Sequence, residues 1–344
     1  MRVIDTQPIA SIQSMEVQGD AMHLSGWIVH REYPLTHVTL RAGPGLWTHD
    51  VPLSDRPDVC KNLYPEIGHT AVSGFNAVVP WDPNPRAAAA RRLEIIAKSG
   101  EAERGTVSVE LRDLDPEPAR FPVPPSVLKR HVGGRRDDFL STGWRIYSDL
   151  KGQVARLGGW ARFDRIHDWG CGCGRVFRYL YEEVPAPCLF GCDIDREAVR
   201  WMSENARGSS FEAIRKLPPT PYADEQFALV YGISIFTHLN EAMQDRWLGE
   251  LNRITRPGGV VAVSVHGPEL VPRRLRPRLR KRGFADVGSR QAFYFVPYAG
   301  LRYYRTAYHT PRYVEEHWSR YFDVLEYFCR AVNAHQDLVI MRKR

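Results

Sequence analysis

In the first third of the chain, apolar positions come in short runs broken by glycine, proline and aspartate. Residues 23–30 form an apolar run with polar flanks, and residues 38–42, 75–79, 92–97 and 107–111 alternate or nearly so. A period of two fits half-buried strands, and turn residues between short strands predict an antiparallel β-sandwich over residues 1–115. Beyond residue 137 the period changes. Phe139, Ile146, Leu150, Val154 and Leu157 recur at helical spacing across 138–157. Strands are predicted at 163–169, 187–193, 227–233 and 260–265, with helices at 175–183, 196–206 and 241–255 between them. Two last strands are predicted at 321–329 and 337–341. Strands alternating with helices make a doubly wound α/β domain, here 137–344. Residues 113–126 between the two patterns carry five prolines. Proline fixes φ and removes a donor, so 116–136 reads as a semi-rigid linker.

Composition narrows the class. A chain of 344 residues, 43% hydrophobic and 25% charged, has the material for two globular domains. Wholesale disorder, collagen and a disulfide-stapled mini-protein are excluded. No stretch approaches the ~18 consecutive apolar residues of a membrane span. Residues 1–5 show no apolar run behind a basic start, so no secretory signal is expected. Six cysteines, four of them at Cys171, Cys173, Cys188 and Cys192, are no disulfide framework, and the expected compartment is reducing and cytoplasmic. Their spacing differs from that of structural zinc sites, so no metal is expected.

The strongest chemical signal is residues 166–175, Ile-His-Asp-Trp-Gly-Cys-Gly-Cys-Gly-Arg. A strand ends, Gly170, Gly172 and Gly174 follow, and a helix begins. Glycines there permit a tight turn and close approach of backbone to a ligand. Dinucleotide enzymes use such a loop too, but their G-x-G-x-x-G spacing fails: the third position is Arg175 counted from Gly170 and Phe177 counted from Gly172. Asp168 precedes the loop, where a carboxylate would repel a pyrophosphate and suit a cationic amino acid. The next strand ends at Asp193, 23 residues after Gly170, near the offset of a ribose-binding acid. Ile194 beside it can cover a flat ring.

Four segments in this order resemble the class I S-adenosylmethionine-dependent methyltransferases: residues 168–174, 191–195, 227–239 and 251–259. The resemblance spans 138–344 and implies a Rossmann-like, seven-stranded sheet whose last strand is antiparallel. It implies that Asp168 and the backbone of Gly170, Cys171, Gly172 and Gly174 hold the methionine part of S-adenosylmethionine. Asp193 would hold the ribose, Ile194 would flank the adenine, and Tyr231 and Ile233 would close the pocket. The product would be S-adenosylhomocysteine. One departure is that residues 211–218 offer no acid for the adenine amino group. In the first third, residues 24–28, 56–59 and 73–75 are similar to an accessory β-sandwich attached to bacterial glycosyltransferases and methyltransferases.

Methyl transfer needs an aligned nucleophile and, for a hydroxyl, a base. The Asn/Asp-Pro-Pro-aromatic signature of many base and protein N-methyltransferases is replaced by Gly232-Ile-Ser-Ile235. His238 after the fourth strand and His266 after the fifth are the candidate bases, at the sheet edge where ligands bind. The plain alternative is that each bridges loop backbone groups. His309 and Glu269 are weaker candidates, and among the tryptophans Trp144, on the helix that leads to the loop, is singled out. The expected function is O-methylation of a small molecule or sugar. Its rivals are an RNA methyltransferase and a non-catalytic cofactor-binding partner in glycan assembly.

The net charge of +7 bears on these rivals. Residues 273–282 hold seven basic and no acidic residues, and without them the chain is formally neutral. A chain-wide basic surface, as nucleic acid would require, is absent. The run lies in an insertion at 268–310 beside the expected site. It reads either as a solvated loop or as a lid that gathers an anionic acceptor.

Overall fold

The computed structural model describes residues 1–4, 8–18, 21–30, 32–42, 47–56, 72–80, 92–110, 121–132, 139–288, 303–333 and 335–344. The chain divides into two units, one of Asp5–Glu117 and one of Met1–Ile4 with Pro118–Arg344. The first strand, β1 (Arg2–Ile4), therefore belongs to the larger unit.

The smaller unit contains β2 (Ile9–Gln18), β3 (Ala21–Val29), β4 (His37–Ala42), β5 (Trp47–Pro52), β6 (Ser54–Asp55), β7 (Val72–Pro80), β8 (Arg92–Ser99) and β9 (Ala102–Glu110). They form two antiparallel sheets, β2-β3-β7-β6 and β5-β4-β8-β9. Alternation builds the core. In β7, Phe75, Ala77 and Val79 are buried while Asn76 and Val78 are exposed. These side chains join Leu24 and Ile28 of β3, Val38 and Leu40 of β4, and Leu93 and Ile95 of β8 in one apolar cluster. Strand β2 is absent from the sequence reading because a bulge between Ile12 and Ser14 flips the parity of its apolar positions. Residues 57–59 of the accessory-domain resemblance lie outside the described residues.

The larger unit contains α1 (Ser126–Val132), α2 (Phe139–Arg156), β10 (Ile166–Trp169), α3 (Phe177–Glu183), β11 (Leu189–Asp193), α4 (Arg196–Asn205), β12 (Ser210–Ala213) and β13 (Phe227–Gly232). It continues with α5 (Glu241–Ile254), β14 (Thr255–Val265), α6 (Arg276–Arg282), β15 (Phe284–Gly288), β16 (Arg305–His309), β17 (Asp323–Val332) and β18 (Gln336–Arg342). The main sheet runs β1-β17-β18-β14-β13-β10-β11-β12. Strand β18 is antiparallel to both neighbours, and the other pairs are parallel. Both faces are covered. In β14, Val260 and Ala262 enter one apolar cluster while Val261, Val263 and Val265 enter another. The strand order reverses between β10 and β13, and a crevice for ligands opens at such a point.

Two expectations change. Residues 137–344 supply the seven strands expected, and β1 from outside that range adds an eighth by pairing in parallel with β17 (Val3 opposite Tyr327). The proline-rich segment is not a linker throughout. Phe121 is fully buried against Phe177, Tyr181 and Trp201, and Arg178 Nη2 donates to its carbonyl at 2.6 Å. Helix α1 follows, with Leu128 buried beside Phe139, Cys173 and Ala198. Proline density reports missing donors, but one aromatic and one leucine dock the segment.

The insertion is also built rather than loose where it is described. The arginine-rich run forms a 3₁₀ turn and α6, which ends at Gly283 in the left-handed region (φ +70°). Leu279 packs beneath it on Val271, Ala285 and Tyr308, and β15 pairs with β16. No described helix is long and apolar enough to cross a membrane.

Candidate active site

The glycine turn begins where β10 ends. Gly170, Gly172 and Gly174 have φ of +81°, +51° and +79°, a region open to glycine and costly for other residues. Their surroundings exclude side chains as well. A Cβ on Gly170 would stand 2.1 Å from Ile235, and one on Gly172 would stand 2.4 Å from Val132 of α1. The turn is pinned to the next strand, since Gly170 and Cys171 both donate N–H to the Cys192 carbonyl at 2.8 and 3.0 Å.

Two carboxylates flank the turn. Asp193 Oδ2 accepts from Gly172 N and its Oδ1 accepts from Asp195 N, both at 2.8 Å. Burial pushes Asp193 up to about 6, opposed by these N–H donors. Asp168 is buried, and the Tyr231 hydroxyl donates to its Oδ2 at 2.8 Å. Burial pushes Asp168 up to about 8, with the Tyr231 bond opposing and the Asp193 charge adding. Asp195 caps α4 by accepting from Glu197 and Ala198, and its Oδ2 lies 2.7 Å from His131 Nδ1 of α1.

A cleft of about 450 Å³ opens at the carboxyl ends of β10, β11 and β13. Gly170, Asp193 and Ile194 form one side, with Ile214 following β12. Ser234, Ile235, His238 and Leu239 form the wall after β13, and Trp169, Trp247, Tyr303 and Tyr304 supply aromatic surface. His238 Nδ1 lies 3.0 Å from the Arg305 carbonyl. A carbonyl only accepts, so Nδ1 carries the proton and Nε2 keeps its lone pair. Burial lowers the His238 pKa, with the Arg305 bond opposing, so the ring is neutral near pH 7.

The remaining sequence candidates fall elsewhere. Cys171, Gly172 and Gly174 shape the turn without lining the cleft. Tyr231 is buried beneath Asp168, and Ile233 packs against a core cluster, so the cleft is closed by Ser234 to Leu239 instead. His266 does not line the cleft. Its Nδ1 faces the Ala307 carbonyl at 3.2 Å, its ring lies near Tyr308 and His335, and burial lowers its pKa to about 3. His309 is buried with Nε2 on Gln244, and Glu269 is paired with Arg330. Trp144 packs on Tyr147 and Tyr179 in the core. Cys171, Cys173, Cys188 and Cys192 are free thiols, and among the described residues no group of His, Cys, Asp or Glu is arranged to hold a metal. Sequence reading gave no role to Ser234, Ile214, Trp169, Trp247, Tyr303 or Tyr304: Trp169 and Ser234 lie inside the resembling segments without a signal of their own, and the others lie outside them.

A sheet of this order, with a glycine turn after β10 and an acid closing β11, is the arrangement that the sequence resemblance implies. Residues 166–259 match the family model described as methyltransferase domain. Similar solved structures include a methyltransferase dependent on S-adenosylmethionine from Methanosarcina mazei, 18% identical, covering 52% of this chain and 92% of that one at a TM-score of 0.40. Another is the Burkholderia thailandensis 1,6-didemethyltoxoflavin-N1-methyltransferase with S-adenosylhomocysteine bound, 15% identical, covering 74% and 96% at 0.43. A third is the N-methyltransferase NodS of Bradyrhizobium japonicum, 13% identical, covering 58% and 96% at 0.37. The match supports a methyltransferase domain over residues 166–259, with S-adenosylmethionine as its cofactor. The site fits that molecule. A carboxylate offers about four lone-pair sites, so Asp193 retains capacity for hydroxyls beside the N–H groups it accepts. Ile194 and Ile214 give an apolar lining for a flat ring.

Proposed function

We propose that this chain transfers a methyl group to a hydroxyl of a small molecule or sugar, with His238 as general base. The cofactor supplies an electrophilic methyl group. Asp168 and the glycine turn hold its amino-acid part, Asp193 its ribose, and Ile194 its adenine. His238 accepts the hydroxyl proton at Nε2. The observation that carries this reading is the His238 tautomer, fixed by the Arg305 carbonyl in a ring that lines the cleft. A base is needed for a hydroxyl and not for a neutral amine, so a poised histidine favours oxygen as nucleophile.

Two features support the acceptor class. The sequence likeness of the β-rich unit to an accessory domain of glycosyltransferases favours a carbohydrate. Basic helix α6 favours an anionic one. Its Arg282 pairs at 3.0 Å with Glu241 of α5, two residues beyond Leu239 of the cleft wall.

The test is methyl transfer from labelled S-adenosylmethionine to a panel of sugars, sugar phosphates and nucleotide sugars, with amines as controls. Methyl ethers are expected, and methylamines alone would overturn the reading. Replacing His238 with Ala should cut kcat by roughly 10²–10⁴ with cofactor affinity intact. Because burial lowers the His238 pKa, the acid limb of wild-type kcat should lie below the ordinary imidazole value of 6.5.

A further inference from the structure

Ser234 is a serine in the left-handed region, with φ of +62°. That conformation is uncommon for a residue with a Cβ and persists where its surroundings enforce it. Three side chains do so. Ser234 N donates to Ser264 Oγ at 2.7 Å, Ser264 Oγ donates to Gln336 Oε1 at 2.6 Å, and Gln336 Nε2 donates back to Ser234 Oγ at 2.7 Å. The ring has one direction only. Ser264 is fully buried, and its proton has Gln336 Oε1 as acceptor, which fixes how the amide is turned. Thr237 Oγ1 then holds the Ser234 carbonyl at 2.9 Å.

The consequence is a count of protons. Ser234 Oγ accepts within the ring, so its own O–H is not spent there, and among the described residues it meets no acceptor. Ser234 lines the cleft, as does His238. Each of these two lining residues thus keeps one group unspent, the O–H of Ser234 and the Nε2 lone pair of His238.

We infer that Ser234 is a specificity-determining residue that selects oxygen over nitrogen acceptors by donating to one lone pair of the acceptor hydroxyl. This rests on the O-methylation reading above. A hydroxyl has one proton and two lone pairs. The proton passes to His238 Nε2, and Ser234 holds one lone pair. The other forms the C–O bond as the sulfonium C–S bond returns its electron pair to sulfur, leaving a thioether. A neutral amine has a single lone pair, which the Ser234 proton would occupy and withdraw from attack. An ammonium ion has none, and faces the donor with a proton.

Ser234→Gly tests this, because glycine takes the left-handed backbone freely and the fold is kept. Transfer is measured at pH 9, where the amines are largely neutral, on glucose against glucosamine and on glucose 1-phosphate against glucosamine 1-phosphate. Product analysis separates O- from N-methylation. Calorimetry with S-adenosylhomocysteine should give a Kd within twofold of wild type. The expected result is a 10- to 100-fold loss of kcat/KM for O-methylation, with N-methylation unchanged or raised. Equal loss of both would reduce Ser234 to a wall residue and overturn the inference, as would an unchanged O-to-N ratio. A wild type that binds cofactor yet methylates no hydroxyl of these probes or of the wider panel would bring down the O-methylation reading itself, a failure visible before any variant is made.

Discussion

At the scale of single residues, the proposed contact of Asp168 with the cofactor makes binding depend on pH. Burial raises its pKa from 3.8 to about 8. A carboxyl raised on folding favours the folded state most at low pH, and that contribution falls as pH rises from about 4 to about 8. A bound ammonium group reverses the preference, because it stabilises the carboxylate. Cofactor binding at pH 7 should then release a proton, affinity should climb towards pH 8, and the apo protein should lose thermal stability over the same range. Calorimetry in buffers of different ionisation enthalpy, with melting curves against pH, checks all three. Asp168→Asn keeps the shape, and should weaken cofactor binding roughly 30- to 5,000-fold, the ~2–5 kcal/mol of a broken buried charge pair. It should also flatten the pH dependence of apo stability. That Gly170 and Asp193 line the cleft was legible, because each is fixed by distance along the chain from one turn. Ser234 was not, since its backbone is set by partners 30 and 102 residues away.

At the scale of elements, helices α4 and α5 stand where the sequence predicts them, and each is capped by its own neighbouring residue. Asp195 accepts from Glu197 and Ala198, and Asn240 accepts from Met243. Local signals sufficed there. They failed for α1, because five prolines nearby outweigh a seven-residue helix whose support is tertiary. Leu128 is that support, buried with Cys173 of the glycine turn and Ala198 of α4. Helix α1 also places Val132 over Gly172 and His131 on Asp195. Leu128→Ala should therefore destabilise the larger unit by about 2–3 kcal/mol, as a buried leucine truncation does. It should also weaken cofactor binding, since the turn loses its cover. Chemical denaturation gives the first number and calorimetry the second. A loss of stability with unchanged cofactor affinity would separate α1 from the turn.

At the scale of the molecule, the charge of +7 resolves to one helix and its approach. Two of the seven cations in 273–282 are structural: Arg278 pairs with Asp286 at 3.4 Å and Arg282 with Glu241 at 3.0 Å. Arg273, Arg274, Arg276, Arg280 and Lys281 are exposed and form no ion pair among the described residues. The sequence could place this run beside the site but could not choose between a solvated loop and a built surface. That choice depended on Leu279, whose burial orients the helix and turns the arginines outward. Exposed cations act over a Debye length of about 8 Å at physiological salt, and each is worth ~0–1 kcal/mol. Changing the five unpaired residues to Gln should raise KM for an anionic acceptor such as a sugar phosphate about tenfold, roughly 1.4 kcal/mol in all. KM for the neutral sugar and affinity for S-adenosylmethionine should stay at wild-type values. High salt should impose the same penalty on the wild-type protein and little on the variant, because both remove one long-range field. If KM for the sugar phosphate is unchanged in the variant, the helix does not serve the acceptor, and its charge answers to some other surface.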